Sequence, residues 1–225
     1  MAKNKKWILA AVAVLAVVLC CWAAWSKWAS TTRIGLVNFQ NYQTASLVKS
    51  NEDNFIEYEE IPLDRLDRLG RYDLVLGFGM GLKITEEQRA QILAAADEGT
   101  PIYIYAATNP ENDICSLDSL TKAGISAYIG NGNKRNYRNM ARYVRQHIDA
   151  KRLFVTPAEE AVESASDVLY HLDEDLSFKT VADYEKYLRE QGIYREKAPK
   201  IAIVGGLNDP FLSLIHISEP TRRVV

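Results

Sequence analysis

The chain has 225 residues, a formal net charge of −2, 48% hydrophobic residues and 25% charged residues. These proportions are typical of a globular protein and exclude collagen-like, low-complexity, disulfide-scaffold and wholly disordered chains. The length allows one domain with additions, or two small domains.

The N-terminal segment contains a long uncharged run. Residues 7–25 carry no charged side chain, and as a helix they would span about 28 Å, close to the ~30 Å hydrocarbon thickness of a bilayer. Lysines precede the run and only Lys27 follows it closely. This predicts a single-pass anchor within residues 1–27, with the N-terminus cytoplasmic and the remainder extracytoplasmic or periplasmic. A cleaved signal peptide and a lipoprotein signal acylated at Cys20 are the alternatives; both fit less well, because the run is long and Leu19 is not small.

The C-terminal tail differs in character from the rest of the chain. Residues 212–222 read LSLIHISEPTR, which resembles the in-frame translation of a transposon end with its adapter, as used to prepare sequencing libraries. A native strand and turn is the alternative. The resemblance predicts that residues 212–225 are not native and that the native sequence is cut off near Phe211.

The charge balance of the middle of the chain bears on its partners. Residues 28–211 hold 21 Lys and Arg against 28 Asp and Glu, so we expect no nucleic-acid partner, because binding phosphates requires a basic excess. Cys115 is the only cysteine in this range. It therefore has no partner there for a disulfide, and no Cys/His pattern has zinc spacing.

Short apolar runs in the first half of the chain predict parallel strands. They are Arg33–Phe39, Phe55–Ile61, Asp73–Gly79 and Pro101–Ala107. The second alternates apolar and acidic residues, as an edge strand with one solvated face would. The last two are continuously apolar, as in strands covered on both faces. Between these two, Thr85 and Gln88 form the capping box of a helix over Thr85–Glu98.

The second half continues the alternation of helices and strands. The pattern predicts a helix Leu117–Ala123, a strand Ser126–Ile129, a helix Lys134–Asp149 and a helix Val181–Gln191 capped by Thr180. We therefore expect an α/β domain over residues 28–195, with a mostly parallel sheet of flavodoxin-like or Rossmann-like order. A further strand at Lys200–Gly206 would begin a truncated second domain in residues 196–211.

Three groups of residues are candidates for binding. The loop Gly77–Gly81 lies between a strand and a helix, where it is either a phosphate-binding loop or a tight turn. His171 and Asp173 lie in an acidic turn and are either metal ligands or structural residues. A basic stripe on the helix 134–149 could hold carboxylates or phosphates, or be a solvated face with local acidic partners. Its members are Arg135, Arg138, Arg142 and Arg145.

Four motifs follow one another between Asn131 and Asp209. They are Asn-Tyr-Arg-Asn-Met-Ala-Arg-Tyr-Val from residue 136, Leu-Tyr-His-Leu-Asp from 169, the aromatic pattern of Phe178, Tyr184 and Tyr187, and Pro-Lys-Ile-Ala-Ile from 199. In order and spacing they resemble the N-terminal region of the CobN and magnesium-chelatase H-subunit family. The departures are Leu172, where the family has proline, and the separated Gly130 and Gly132, where it has a glycine pair.

The resemblance implies a fragment of a large metal-chelatase subunit. Such a subunit holds a tetrapyrrole while cobalt or magnesium is inserted. An outward-facing, membrane-anchored member would instead handle haem or another imported tetrapyrrole and could remove its metal. The implied partners are the tetrapyrrole, a divalent metal and other chelatase subunits, with no cofactor in the fragment itself.

On this interpretation the four stripe arginines would meet the carboxylates of the tetrapyrrole, and His171 and Asp173 would meet the metal. The catalytic residues would lie beyond the fragment, so we expect the fragment alone to be inactive. The alternative function is that of a membrane-tethered periplasmic α/β domain that binds a ligand or acts as a sensor.

Overall fold

The computed structural model describes residues 2–163, 169–170 and 176–199, without the side chains of residues 2–11 and 170. The helices are α1 (Ala2–Trp28), α2 (Asn41–Ser50), α3 (Glu86–Asp97), α4 (Ser119–Gly130), α5 (Lys134–Tyr143) and α6 (Val181–Glu190). The strands are β1 (Thr32–Val37), β2 (Ile56–Ile61), β3 (Leu74–Phe78), β4 (Ile102–Tyr105), β5 (Leu169–Tyr170) and β6 (Ser177–Phe178). Short 3₁₀ turns cover Leu66–Arg71 and Pro110–Asn112, and a π turn, Val144–Ile148, continues α5.

The predicted transmembrane helix is wrong. Among the residues described with their side chains, no helix combines the length and the apolarity needed to cross a membrane. In α1 those residues run from Val12 to Trp28, which corresponds to about 25 Å of helix against a hydrocarbon thickness of ~30 Å.

The main sheet has four parallel strands in the order β2-β1-β3-β4. This is the flavodoxin type of order, so the parallel sheet agrees with the prediction. β1 and β3 are central and almost wholly buried. β2 is an edge strand, as its alternating sequence predicts, and it exposes Glu57, Glu59 and Glu60. The outer edge of β4 is covered by the segment that follows it. The backbone N–H of Ile104 donates to the carbonyl of Ile114 in that segment.

Helices pack on both faces of the sheet, so the domain is doubly wound. On one face α2, α4 and α5 cover the side chains of Ile34, Leu36 and Leu76. On the other face α3 and the first 3₁₀ turn cover Val37 and Val75. Successive residues of β1 point to opposite faces, and each face is apolar, which is why these strands read as continuous apolar runs.

The predicted strand Ser126–Ile129 is wrong, because these residues belong to α4. Gly124 suggested a break in the chain, but it lies inside the helix. A Cβ atom there would lie 2.6 Å from the ring of Tyr143 in α5. The glycine therefore allows α4 and α5 to approach closely rather than ending a helix.

The last described elements form a small unit of their own. β5 and β6 pair antiparallel, Leu169 with Phe178. The ring of Phe178 lies 5.2 Å from the rings of both Tyr184 and Tyr187 in α6, and the side chain of Thr180 caps this helix as predicted. The predicted strand Lys200–Gly206 and the tail 212–225 lie outside the described residues.

Candidate functional site

Helix α5 carries the predicted basic stripe. The side chain of Asn133 caps its first turn by accepting a hydrogen bond from the backbone N–H of Asn136 at 2.8 Å. One side of the helix is buried in the core through Tyr137, Met140 and Ala141. Arg135, Arg138 and Arg142 lie along the border of this buried side, so their stems pack against it while part of each side chain remains exposed.

Arg135 and Arg138 each have an acidic partner. Arg135 contacts Glu159 through both Nε and Nη2, at 3.0 and 2.9 Å from the same carboxylate oxygen. Arg138 contacts Glu52, which follows α2, through Nη1 at 2.9 Å. The side chain of Glu159 is about half exposed, and Arg135 lowers the pKa of its carboxyl by hydrogen bonding and by charge.

Arg142 differs from these two residues. It makes no ion pair or hydrogen bond with any residue that the structure describes, and its Nε atom is buried. The Nε atom of Arg138 is likewise buried without a hydrogen-bond partner in the described part of the chain. Arg138 and Arg142 therefore each keep a buried Nε–H donor that no described residue satisfies.

Arg145 does not belong to the exposed stripe, and its predicted role there needs correction. Its side chain is fully buried, since the π turn leaves it beside the carbonyl groups of several irregular segments. Nη1 donates to the carbonyl of Ser30 at 2.8 Å and to that of Phe55 at 3.1 Å, and Nη2 donates to Leu153 at 3.0 Å. Nε donates to the carbonyl of Phe154 at 3.0 Å.

These contacts make Arg145 a structural residue at the N-terminal edge of the sheet. Burial lowers the pKa of its guanidinium, while the carboxylates of Asp53, Asp149 and Asp73 act in the opposite direction. A carboxylate of a ligand would have to displace carbonyl groups that fix the start of β1. The exposed basic face of α5 therefore consists of Arg135, Arg138 and Arg142.

Two asparagines of the same helix hold the segment that follows it. Asn136 is fully buried. Its Nδ2 donates to the carbonyls of Asn131 at 2.6 Å and Val162 at 2.8 Å, and its Oδ1 accepts from the backbone N–H of Val162 at 3.0 Å. Asn139 accepts from the backbone N–H of Glu159 at 3.1 Å. These amides bind an extended segment as a neighbouring strand would, and so they position Glu159 opposite Arg135.

The predicted metal ligands His171 and Asp173 lie outside the described residues. Within the described ranges, no group of three or more His, Cys, Asp or Glu side chains could hold a metal ion. His147 lies on the outer side of the π turn, its ring 4.5 Å from that of Tyr143.

The glycine loop after β3 has a structural explanation. Gly79 packs against the backbone of Ala107 so closely that a Cβ atom would lie 2.5 Å from Cα of Ala107. Gly81 adopts a φ of +70°. The side chain of Asn38 donates to the carbonyl of Phe78 at 2.7 Å. These contacts favour the tight-turn interpretation of Gly77–Gly81 over a phosphate-binding loop.

Replacing Gly79 with alanine should destabilise the domain by about 1–3 kcal/mol, because backbone rather than a flexible side chain must move. Gly130→Ala is the matched control. Its Cβ would meet nothing within 4 Å, so the change should be neutral or stabilising by up to about 1 kcal/mol. Urea denaturation of the two variants measures the difference. Equal effects would mean that the loops after β3 and β4 do not touch.

A polar cavity opens at the N-terminal edge of the sheet, where Asp73 and Asp149 face each other. Asp149 accepts from Thr32 Oγ1 at 2.5 Å and pairs with Lys151 Nζ at 2.9 Å. Burial first, and then the neighbouring carboxylate of Asp149, raise the pKa of Asp73 above its ordinary value. A hydrogen bond from the backbone N–H of Arg33 acts against this shift.

The raised pKa of Asp73 determines in which direction the stability of the domain changes with pH. The folded chain holds this proton more tightly than the unfolded chain, so the Asp73 contribution to stability falls as pH rises from the ordinary pKa to the raised one. Asp73→Asn should therefore gain stability relative to the wild type as the pH rises above the ordinary pKa of an aspartate. Thermal denaturation at a series of pH values measures the difference. A constant difference at every pH would contradict the raised pKa of Asp73.

The structure thus defines a class of protein: a doubly wound α/β domain whose fifth helix carries two buried asparagines and a basic outer face. The family model CobN/Magnesium Chelatase matches residues 126–211, from within α4 onward. This match confirms the family resemblance that the motifs of the segment indicate.

The catalytic subunit of cobaltochelatase from Mycobacterium tuberculosis aligns with a TM-score of 0.43 and 17% sequence identity, over 63% of this chain and 12% of that one. The chain thus spans about an eighth of the length of that subunit. A search of curated proteins finds no match.

Two features of the site were not predicted. The ion pair between Glu52 and Arg138 joins residues that are 86 positions apart in the chain. No local sequence pattern indicates such a contact. Asn136 and Asn139 were noted as part of a motif but not as buried clamps. A signal did exist, because asparagines on the apolar side of an amphipathic helix need hydrogen-bond partners when they are buried.

Proposed function

We propose that this chain is part of the large subunit of a metal chelatase and that it contributes to binding the tetrapyrrole substrate. The observation that carries the proposal is the family match over residues 126–211. The insertion or removal of the metal, whether cobalt, magnesium or the iron of haem, is assigned to the remainder of the protein.

The geometry of α5 supports a role in binding. A tetrapyrrole combines an apolar macrocycle with acidic side arms, so its binding site needs cationic donors beside apolar surface. α5 offers the partly buried side chains of Arg138 and Arg142, whose buried Nε–H donors have no acceptor among the described residues. Charge-assisted hydrogen bonds to carboxylates contribute roughly 1.5–3 kcal/mol each when they are partly desolvated.

The proposal is tested by absorbance titration of the full chain with protoporphyrin IX. We expect saturable binding of one molecule per chain, with a dissociation constant of about micromolar order or tighter. 8-Anilinonaphthalene-1-sulfonate, an apolar anion of different shape, serves as the control and should not compete. Failure to saturate, or displacement by the control compound, would contradict the proposed function.

A further inference from the structure

Two buried donors on α5 lack partners. The Nε–H groups of Arg138 and Arg142 are both buried, and neither meets an acceptor among the described residues. Leaving a buried N–H group unpaired costs about 1–3 kcal/mol, so each such group requires an explanation. The two residues are four positions apart and therefore neighbours on one side of the helix. Two unpaired guanidinium donors at one place indicate a site for an anion.

A carboxylate of the chain itself already lies beside Arg138. Glu52 contacts Arg138 only through Nη1, at 2.9 Å, and its side chain is 52% exposed. The carboxylate therefore leaves Nε of Arg138 unused and does not reach Arg142. Arg135 provides the contrast, because Glu159 already engages both its Nε and its Nη2.

We infer that Arg138 and Arg142 form a subsite for a carboxylate of the substrate, and that Glu52 occupies part of this subsite when no substrate is bound. The inference rests on the proposed function for the identity of the ligand, a carboxylate arm of the tetrapyrrole. A guanidinium pair of this kind binds a carboxylate through parallel N–H donors. Glu52 then acts as a competitor, and its removal should strengthen binding.

The test compares protoporphyrin IX with its dimethyl ester, which has the same macrocycle but no free carboxylate. We expect Arg142→Gln to weaken the binding of protoporphyrin IX about tenfold and to leave the ester unaffected. Glu52→Gln should strengthen the binding of protoporphyrin IX several-fold. Arg68→Gln is the matched control: it removes the same charge from the 3₁₀ turn on the opposite face of the sheet, and it should change affinity less than about twofold.

The outcomes separate this inference from the proposed function. If protoporphyrin IX binds but neither Arg142→Gln nor Glu52→Gln changes its affinity, the subsite is overturned and the proposed function stands. If protoporphyrin IX does not bind, the proposed function fails, and succinate then decides the subsite. Succinate should shift the Nε–H nuclear magnetic resonance of Arg142, more strongly in Glu52→Gln, and no shift would overturn the subsite.

Discussion

Replacing Arg145 with methionine is expected to lower the free energy of unfolding by about 3–5 kcal/mol. The side chain is fully buried and donates to the carbonyls of Ser30, Phe55, Leu153 and Phe154. Methionine fills similar space but removes the donor that Arg145 gives to each of these carbonyls. Arg145→Lys should lose most of this stability as well, because an ammonium group cannot reproduce the planar fork of donors.

Denaturation in urea measures the effect, and Arg142→Met is the matched control on the same helix. Arg142 has no ion pair or hydrogen bond with the described residues and its Nε–H is buried without an acceptor, so its replacement should leave the stability unchanged or raise it by up to about 3 kcal/mol. If the two variants were equally stable, Arg145 would not hold the N-terminal edge of the sheet together.

Replacing Asn136 with aspartate is expected to destabilise the chain by about 3 kcal/mol or more near neutral pH. The Nδ2 group now donates to two carbonyls; an aspartate oxygen at this place would face them with like partial charge. The penalty should shrink as the pH falls, because a protonated carboxyl can donate one of the two hydrogen bonds.

Asn133→Asp provides the control for the same chemical change three residues earlier. Asn133 is the N-cap of α5, where a carboxylate is as good a cap and also favours the positive end of the helix dipole. Thermal denaturation should therefore show a melting temperature about 6–12 °C lower for Asn136→Asp and one that is unchanged or higher for Asn133→Asp. A loss of similar size in both variants would contradict the role of Asn136 as a buried clamp.

The sheet could be predicted from sequence because its strands are local and strongly apolar. Leu74–Phe78 and Ile102–Tyr105 lie within the predicted runs, and the acidic alternation in Ile56–Ile61 identified the edge. The capping box of Thr85 and Gln88 is present with both of its hydrogen bonds. In these cases a few neighbouring residues contain the whole physical signal.

Other features depend on contacts between distant residues and could not be predicted. Gly124 indicates a helix end in sequence, yet it is required by the ring of Tyr143 on another helix. Helix α2 is rich in polar residues, and its N-cap is Gln40, which is not a typical capping residue. Arg145 shares the spacing of the exposed arginines, but the carbonyls that bury it come from three separate segments.

In the candidate site too, contacts between distant residues decide the role of each arginine in the basic stripe. Helical spacing placed four arginines on one side of a helix, and three of them do lie on its outer face. Which of these has free donors depends on Glu52 and Glu159, which come from other segments of the chain. Sequence spacing therefore locates a basic face, but only the tertiary structure distinguishes the arginines that are available to a ligand.

The most direct test of this account is amide hydrogen exchange of the chain with and without protoporphyrin IX. We expect slower exchange in residues 134–148 and in residues 49–53, where α5 and Glu52 would meet the substrate. Slower exchange confined to residues 38–42 and 79–82, the C-terminal edge of β1 and β3, would contradict it and would place the tetrapyrrole in the crevice of the sheet instead.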